Sequence, residues 1–308
     1  FLVNTTAGVI SLVTSVLMIA AALFITRWRY NQIGKLSGYL RRIAGGEYSL
    51  DVRDNTEGEL SILKSEIYKV TVTLSEQAEL LQKDKLFLVD SISDISHQLK
   101  TPLTSMSVMT DLLSDKNLPP DKRIEFTQNI RIQLERLEWL VSSLLKLSRI
   151  DAGTINFKKD KVNVEELIER SIRHLVIPME IKEQTLKIEG GSDVYFIGDF
   201  NWISEALTNV VKNCMEHTPK GGEIGISFTG TSLYTMIAIK DDGPGISKKD
   251  LPHIFKRFYK GDNAHEDSIG IGLAMSKSIL ESQGATIEVA SDKGKGTRFT
   301  IKFYKGIL

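Results

Sequence analysis

The apolar pattern of the chain begins with an uncharged run near its start. Residues 7–25 read AGVISLVTSVLMIAAALFI, and as an α-helix they would be about 28 Å long, close to the thickness of a bilayer core. Basic and aromatic residues follow directly, in RWRY at 27–30, and such residues mark the cytoplasmic end of a membrane helix. The pattern predicts a transmembrane segment over residues 1–26, with the rest of the chain inside the cell.

A signal peptide is the alternative interpretation of this run. However, no charged region precedes it and no small-residue cleavage site follows it. Because the chain begins with Phe1 rather than Met, we expect an upstream segment with a further membrane helix and an external sensor.

Residues 27–153 carry apolar stripes with helical spacing. Two short stripes lie in residues 27–84, on either side of a break at 44–60, and two longer ones follow in residues 85–153. The longer stripes are Leu88, Ile92, Ile95, Leu99, Leu103 and Met106, and then Phe126, Ile130, Leu134, Leu137, Val141 and Leu144. Steps of three and four predict two amphipathic helices, which the turn SDKNLPPDK joins as an antiparallel hairpin. One hairpin cannot cover both stripes, so we predict a homodimer through residues 30–150 with a four-helix bundle; a purely structural coiled coil is the alternative.

A histidine lies on the polar face of the first long helix. On a helical wheel His97 is roughly 160° from Leu99, and it shares its face with Asp94 and Thr101. Pro102 cannot donate a helical N–H, so the carbonyl of Gln98 loses its partner and the helix can bend beside His97. The simple interpretation is that His97 is a solvated surface residue. The alternative is that the helix presents its imidazole for a chemical role.

Residues 154–308 show a different pattern. Strand-like segments such as TLKIEG, EIGISFTG and GTRFTIKFY alternate with helical ones at 164–182, 200–216 and 271–283. This alternation predicts a mixed α/β sandwich of ordinary domain size. The predicted fold class is therefore a multidomain membrane protein with a transmembrane helix, a helical linker, a hairpin that dimerises as a four-helix bundle, and an α/β sandwich domain.

Charge and cysteine content narrow the range of partners and sites. The chain has 39 basic and 39 acidic residues and a net charge of zero, which argues against nucleic acid as a main partner. Its single cysteine, Cys214, excludes an internal disulfide and a cysteine-cluster metal site.

Amide and carboxylate side chains share a shoulder of the helix predicted over residues 200–216. Glu205, Asn209 and Asn213 follow one another at intervals of four. Their oxygens are hard ligands, which suit Mg²⁺ held against a phosphate. A plain polar helix face is the simpler interpretation of the same spacing.

Two glycine-containing segments frame a candidate ligand site. In KDDGPGI a strand ends at Asp241, which can accept from an exocyclic amine, and the following glycines let the backbone approach a flat ligand. In SIGIGLAM, Gly270 and Gly272 open a helix whose free N–H groups would face an anion. The segment FKRFYK between them places cations near these turns. Each motif is weak alone, and the sequence contains no phosphate-binding P-loop.

Taken in order, these motifs resemble those of the bacterial sensor histidine kinases. SHQLKTPLTSM (96–106) is similar to the phosphoacceptor box of that family, and the later motifs are similar to its nucleotide-binding boxes. The resemblance implies a HAMP-like linker at 27–84, a dimerisation and phosphotransfer domain at 85–153, and an ATP-binding domain at 154–308. It further implies a plasma-membrane protein of a two-component system that uses ATP and Mg²⁺, phosphorylates His97 and passes the group to an aspartate of a response regulator.

The resemblance also assigns roles to individual residues. The catalytic set is Asp94, His97, Gln98, Thr101 and Arg257. The nucleotide-binding set is Asn209, Lys212, Asn213, Asp241, Gly243, Gly245, Ile246, Phe255, Phe258, Tyr259, Lys260, Gly270, Gly272, Leu273 and Thr297. The expected Mg²⁺ ligand is Asn213, with Glu205 and Asn209 beside it.

The sequence departs from the family pattern at three places. Gln98 follows the phosphoacceptor where the family usually has an acidic residue, so we expect Asp94 to act as the base. Glu216 stands where some relatives carry a lysine that meets phosphate. The linker carries Glu57, Gly58 and Glu59 in place of the usual acidic motif and lacks the early proline. The alternative functions are a phosphatase or scaffold with weak kinase activity, and a gyrase-type ATPase that performs conformational work.

Overall fold

The computed structural model of the chain describes residues 2–48, 59–191, 193–261 and 268–305. The chain divides into two compact units, Phe1–Asp90 and Ser91–Leu308. Part of the predicted linker motif, residues 57 and 58, lies outside the described residues.

The first unit begins with the long helix α1 (Leu2–Ala44). Within the described residues one segment, Ile10–Ala44, is long and apolar enough to cross a membrane. Leu17, Met18 and Phe24 are exposed on this helix, as expected for side chains that face lipid. Membrane insertion of this segment stays a prediction.

The hairpin predicted from the two long stripes is present. Helix α2 (Glu59–Leu113) and helix α3 (Pro120–Asp151) are joined by a short turn. The guanidinium of Arg123 donates to the carbonyl oxygens of Leu113 (3.0 Å) and Asp115 (3.2 Å), and so satisfies groups that the end of α2 leaves unpaired. Pro119 and Pro120 start α3, as the sequence predicts.

Helix α3 buries a different face from the one that its heptad pattern predicts. Leu134 and Val141 of the predicted stripe are exposed in the single chain. Four other residues are buried instead: Leu140, Ser143, Leu147 and Ile150. The apolar members of this face belong to the same core cluster as the α/β domain, and α3 contacts a helix of that domain. Leu144 of the stripe also packs against this core, so only part of the stripe is exposed, and its pairing with a second copy of the hairpin stays a prediction.

The α/β domain contains a five-stranded sheet and a small two-stranded one. Strands β1 (Asp160–Asn163) and β3 (Tyr195–Gly198) pair antiparallel; they are four residues each, too short for the sequence pattern to have predicted. The strands of the larger sheet are β2 (Thr185–Gly190), β4 (Glu223–Gly230), β5 (Tyr234–Asp241), β6 (Ala285–Ser291) and β7 (Thr297–Tyr304). Their order in the sheet is β2-β4-β5-β7-β6. The β2–β4 pair is parallel, and the other neighbouring strands pair antiparallel.

The helices of this domain complete the sandwich. They are α4 (Val164–Ile172), α5 (Val176–Ile181), α6 (Phe200–His217) and α7 (Gly272–Ser282). The single helix expected over 164–182 is thus two helices with a break between them. Helix α6 packs against both α4 and α7, and its buried face of Ile203, Leu207, Val210 and Cys214 is the apolar face predicted from the sequence. This packing fixes the polar shoulder of α6 beside the end of β5.

Candidate nucleotide site

Helix α6 holds two amide side chains at the site. Asp199 caps the helix, because its Oδ1 accepts from the N–H groups of Asn201 (3.1 Å) and Trp202 (3.2 Å). About three and four turns further on, Asn209 and Asn213 line a cavity. The Nδ2 of Asn209 is buried and has no hydrogen-bond partner among the described residues. A buried donor of this kind is costly without an acceptor, so its position favours a ligand that carries oxygen atoms.

Asp241 ends β5 at the bottom of the same cavity and is 3% exposed. Its Oδ1 accepts from the N–H groups of Gly243 (3.0 Å) and Thr297 (3.1 Å). Burial raises the pKa of this carboxyl above its ordinary value, and the backbone donors and the thiol of Cys214 oppose that shift. Burial, together with the neighbouring Asp241, raises the pKa of the Cys214 thiol well above its usual range. The thiol therefore stays protonated and donates to the carboxylate.

Two turns of the site require glycine. Gly245 has φ of +71°, and a Cβ there would lie 2.1 Å from the carbonyl oxygen of Asp292. Gly296 has φ of +81°, and its Cβ would lie 1.9 Å from the carbonyl oxygen of Asp241. These contacts let the loop after β5 and the β6–β7 turn pack directly on one another, which positions the Asp241 carboxylate.

The FKRFYK segment is anchored beside the start of α7. The N–H of Phe258 donates to the carbonyl oxygen of Gly270 (2.9 Å), and Phe258 has the uncommon φ of +60°. The hydroxyl of Tyr259 donates to Oδ1 of the buried Asp250 (2.7 Å). These bonds bring Tyr259, Lys260 and the N-terminus of α7 to one side of the cavity.

The cavity has a volume of about 660 Å³, within the range of small-molecule and cofactor sites. It brings together most of the residues that the sequence assigned to a nucleotide: Asn209, Lys212, Asn213, Asp241, Gly245, Ile246, Tyr259, Lys260, Gly270, Gly272, Leu273 and Thr297. A buried carboxylate, the unpaired amide donor of Asn209 and a helix N-terminus therefore meet in one cavity. This combination can bind an exocyclic amine at one end and an anion at the other.

The donor set also fits a magnesium ion that is shared with phosphate groups. Among the described residues there is no cluster of three or more His, Cys, Asp or Glu side chains that could hold a metal by itself. Magnesium at nucleotide sites is commonly held by one or two protein oxygens, with phosphates and water completing its shell. The amide oxygens of Asn209 and Asn213 are the protein oxygens that would serve here.

His97 lies apart from this cavity. It is exposed on α2, in a shallow depression that Lys100, Thr101, Thr104 and Ser105 share. The hydroxyl of Thr101 donates to the carbonyl oxygen of His97 (3.3 Å). The structure therefore agrees with the wheel in placing the imidazole on the solvent side of the helix, with its ring nitrogens accessible.

Two family models match the chain. The His Kinase A (phospho-acceptor) domain matches residues 88–153, and the histidine kinase-, DNA gyrase B- and HSP90-like ATPase matches residues 198–306. Together they cover more than half of the chain. The chain belongs to the sensor histidine kinase family. The resemblance drawn from the motifs is thereby confirmed, whereas the HAMP-like linker stays a prediction.

Named relatives agree with this assignment. The chain is 28% identical to the sensor histidine kinase YclK of Bacillus subtilis over 94% of its length, 29% identical to the heme sensor protein HssS of Staphylococcus saprophyticus over 89%, and 30% identical to the sensor histidine kinase WalK of Bacillus subtilis over 82%. It spans 62%, 57% and 41% of their respective lengths. The chain thus matches only part of each relative.

Solved histidine kinases share the fold. The Acinetobacter baumannii histidine kinase AdeS aligns with a TM-score of 0.57 at 24% identity, over 68% of this chain and 97% of that one. The histidine kinase ThkA, in a complex with the response regulator protein TrrA, aligns with a TM-score of 0.61 at 19% identity, over 75% of this chain and 66% of that one. At these identities the likeness concerns the fold.

Within this kinase fold, two predicted site residues are not brought to the cavity. Arg257 was expected to reach phosphate, but its guanidinium is paired with Asp151 at the end of α3 (2.5 Å). Glu205 was expected beside Mg²⁺, but its carboxylate is paired with Lys146 of α3 (2.5 Å). Neither lines the cavity, because the packing of α3 on this domain supplies each with an oppositely charged partner.

Three further predicted residues lie behind the cavity wall. Gly243 supports Asp241 through its backbone N–H, as described above. Phe255 packs edge-on against Phe299 (6.5 Å between ring centroids), and Phe258 packs against the apolar core. These residues position the site and do not line it.

Sequence reasoning missed other residues of the cavity. From the α/β domain they are Lys182, Met215, Glu216, His217, Pro244, Ser247, Asp250, Ile254, Gly261, Ser268, Ile269 and Lys293, and from α3 they are Ile132, Glu135, Arg136 and Trp139. Only Glu216 had been noticed, as a departure from the family. Pro244, Ser268 and Ile269 lie inside the motifs quoted above without having been assigned a role. The four residues of α3 are brought in by tertiary packing, since they belong to no local motif.

Proposed function

We propose that this chain is the membrane-anchored kinase part of a sensor protein that phosphorylates itself on His97 with ATP. The observation that carries the proposal is the cavity, where Asp241 suits the adenine amine and where Asn209, Asn213 and the α7 N-terminus suit Mg²⁺ and phosphates. When bound, Mg²⁺ would neutralise charge on the transferring phosphoryl group. The phosphoryl group would then pass from His97 to an aspartate of a response regulator.

The histidine can act as a nucleophile without extensive activation. A neutral imidazole is a competent nucleophile, and phosphoryl transfer depends chiefly on positioning and charge neutralisation. When a ring nitrogen of His97 takes the phosphoryl group, the ring must lose a proton. Gln98 cannot accept that proton, so we assign it to Asp94, which is exposed one helical turn before His97.

A second candidate is a protein that acts mainly as a phosphatase or scaffold. The observation that favours it is Gln98, a half-buried carboxamide in place of the usual acidic neighbour of the phosphoacceptor. In that case Thr101, one turn after His97, would place the water that attacks a phosphorylated regulator.

Autophosphorylation of the chain in detergent micelles with γ-labelled Mg–ATP tests the proposal. We expect acid-labile label on the wild type and none on His97→Gln. We expect Asp94→Asn to slow labelling more than Gln98→Ala does, because only Asp94 can take the proton; equal rates would overturn that role. Label that appears only in Gln98→Glu would favour the phosphatase or scaffold, and release of free phosphate without label would favour a plain ATPase.

A further inference from the structure

One wall of the nucleotide cavity comes from the helical hairpin. Ile132, Glu135, Arg136 and Trp139 of α3 line the cavity. Their spacing of three, one and three places them on a single helix face. None of them belongs to the apolar stripe that predicts the dimer. Ile132, Arg136 and Trp139 instead continue the face by which Leu140, Leu147 and Ile150 pack on the α/β domain, and at this end of the face they meet the cavity.

Trp139 is in contact with Lys212, a cationic side chain that lines the same cavity. The Nζ of Lys212 lies 6.0 Å from the centre of the Trp139 ring, within cation–π range. The same Nζ lies 3.7 Å from Oε1 of Glu216. Lys212 is therefore held between an aromatic ring of α3 and a carboxylate of α6, and it immediately precedes Asn213 on the helix.

Arg136 adds a second cation to the same wall. It is half-buried and one turn before Trp139, and its guanidinium carries a charge at every physiological pH and can bind two phosphate oxygens at once. The charge matters here because the carboxylates of Glu135 and Glu216 also line the cavity, so a bound polyphosphate needs cations that offset them. A polyphosphate in the cavity thus meets cations from α6 on one side and from α3 on the other.

We propose that Arg136 and Trp139 of α3 are nucleotide-binding residues. Arg136 binds the phosphates of the nucleotide directly, and Trp139 positions Lys212 toward them. The inference rests on the proposed function, since it assumes that the cavity takes a nucleoside triphosphate. The bound nucleotide then joins the α/β domain to the hairpin, and by linkage each stabilises the other.

The test is the affinity of the full chain in detergent micelles for Mg–AMPPNP, measured by isothermal titration calorimetry. We expect Arg136→Gln and Trp139→Ala each to weaken binding by about threefold to fivefold, because these charge and cation–π contacts are partly exposed. Trp139→Phe keeps an aromatic ring under Lys212, so it should bind within about twofold of the wild type. Arg131→Gln is the matched control, because Arg131 is exposed on α3 and does not line the cavity.

Tryptophan fluorescence provides a second readout that altered folding would not mimic. We expect Mg–AMPPNP to change the emission of the wild type, and we expect most of that change to be lost in Trp139→Phe while the affinity is kept.

The outcomes separate this inference from the proposed function. A wild type that binds no Mg–AMPPNP would overturn the proposed function itself. A wild type that binds, with Arg136→Gln and Trp139→Ala binding equally well, would overturn only the role of α3. Equal weakening of binding by Arg131→Gln would also overturn the role of α3, since it would show that the loss of any positive charge from this helix weakens nucleotide binding.

Discussion

At the scale of single residues, Asp241 carries the recognition of the nucleotide base in our proposal. Its Oδ1 accepts from two backbone donors and the Cys214 thiol also donates to the carboxylate, so the acceptor capacity that remains serves the ligand. Burial raises its pKa, which means that the charged form is disfavoured in the folded protein. The buried charge of Asp241 therefore lowers the stability of the folded protein, but it provides a hydrogen-bond acceptor in apolar surroundings.

We expect Asp241→Asn to weaken Mg–AMPPNP binding by about tenfold or more, because the amide keeps its oxygen on the backbone donors and turns an NH₂ group toward the ligand amine. The unfolding midpoint at neutral pH should not fall, since the variant removes a buried charge and keeps both backbone bonds. A variant that binds normally, or one that unfolds much more easily, would contradict this account.

The pH dependence follows from the same pKa. As pH falls through the raised pKa of Asp241, the carboxylate is protonated. The wild type should therefore lose nucleotide affinity at a higher pH than it would if this carboxyl had the pKa of an ordinary aspartate. The effect on stability has the opposite sign: the native state holds the proton more tightly, so this group's contribution to stability falls as pH rises through the folded pKa. Asp241→Asn should lack both dependences.

At the scale of elements, α6 is the part on which the site depends most. Its N-cap, Asp199, is 5% exposed, and besides capping α6 it accepts from the N–H of Lys158 (3.0 Å). One carboxylate therefore fixes both the start of the helix and the segment that precedes β1. The position of Asn209 and Asn213 depends on that start.

We expect Asp199→Ala to lower the free energy of unfolding of the α/β domain by about 1–3 kcal/mol, because the cap is lost and buried N–H groups lose their acceptor. Urea unfolding followed by circular dichroism measures this change. Asp199→Asn is the matched control, since it keeps an oxygen acceptor, and it should cost less. Equal losses in the two variants would show that the negative charge, and not the cap, is what matters.

At the scale of the whole molecule, α3 and the α/β domain are held together by charge as well as by apolar packing. The Lys146–Glu205 and Arg257–Asp151 pairs join them outside the cavity. His97 does not line the cavity, and reacting atoms must come within about 3–3.5 Å of each other. We therefore expect transfer to the His97 of the same chain to require the α/β domain to leave this arrangement.

We expect the double variant Lys146→Gln, Asp151→Asn to autophosphorylate faster than the wild type at saturating ATP, because it loosens the arrangement that keeps the nucleotide from His97. Each pair is partly exposed and is worth about 0–1 kcal/mol, so both are changed together. Lys122→Gln is the control, since its pair with Glu125 lies within α3. An unchanged rate would show that these pairs do not restrain the domain.

Local sequence determined the elements of this protein and the residues of its chemistry. The spacing of apolar residues predicted the hairpin, α6, α7 and the strands of the larger sheet, since that spacing is set by the geometry of a single helix or strand. The motifs around Asn213, Asp241 and Gly272 predicted the cavity for the same reason, because each motif is a local turn or helix end whose conformation its own residues impose.

Only the tertiary structure decided what the surfaces of these elements meet. Arg257 and Glu205 have the right chemistry for a phosphate or a metal, yet packing turns both toward α3. Trp139 and Arg136 belong to no motif, yet packing brings them to the cavity. A side chain's partner depends on which distant segment lies opposite it, and residues spaced far apart along the chain carry no local sign of that contact.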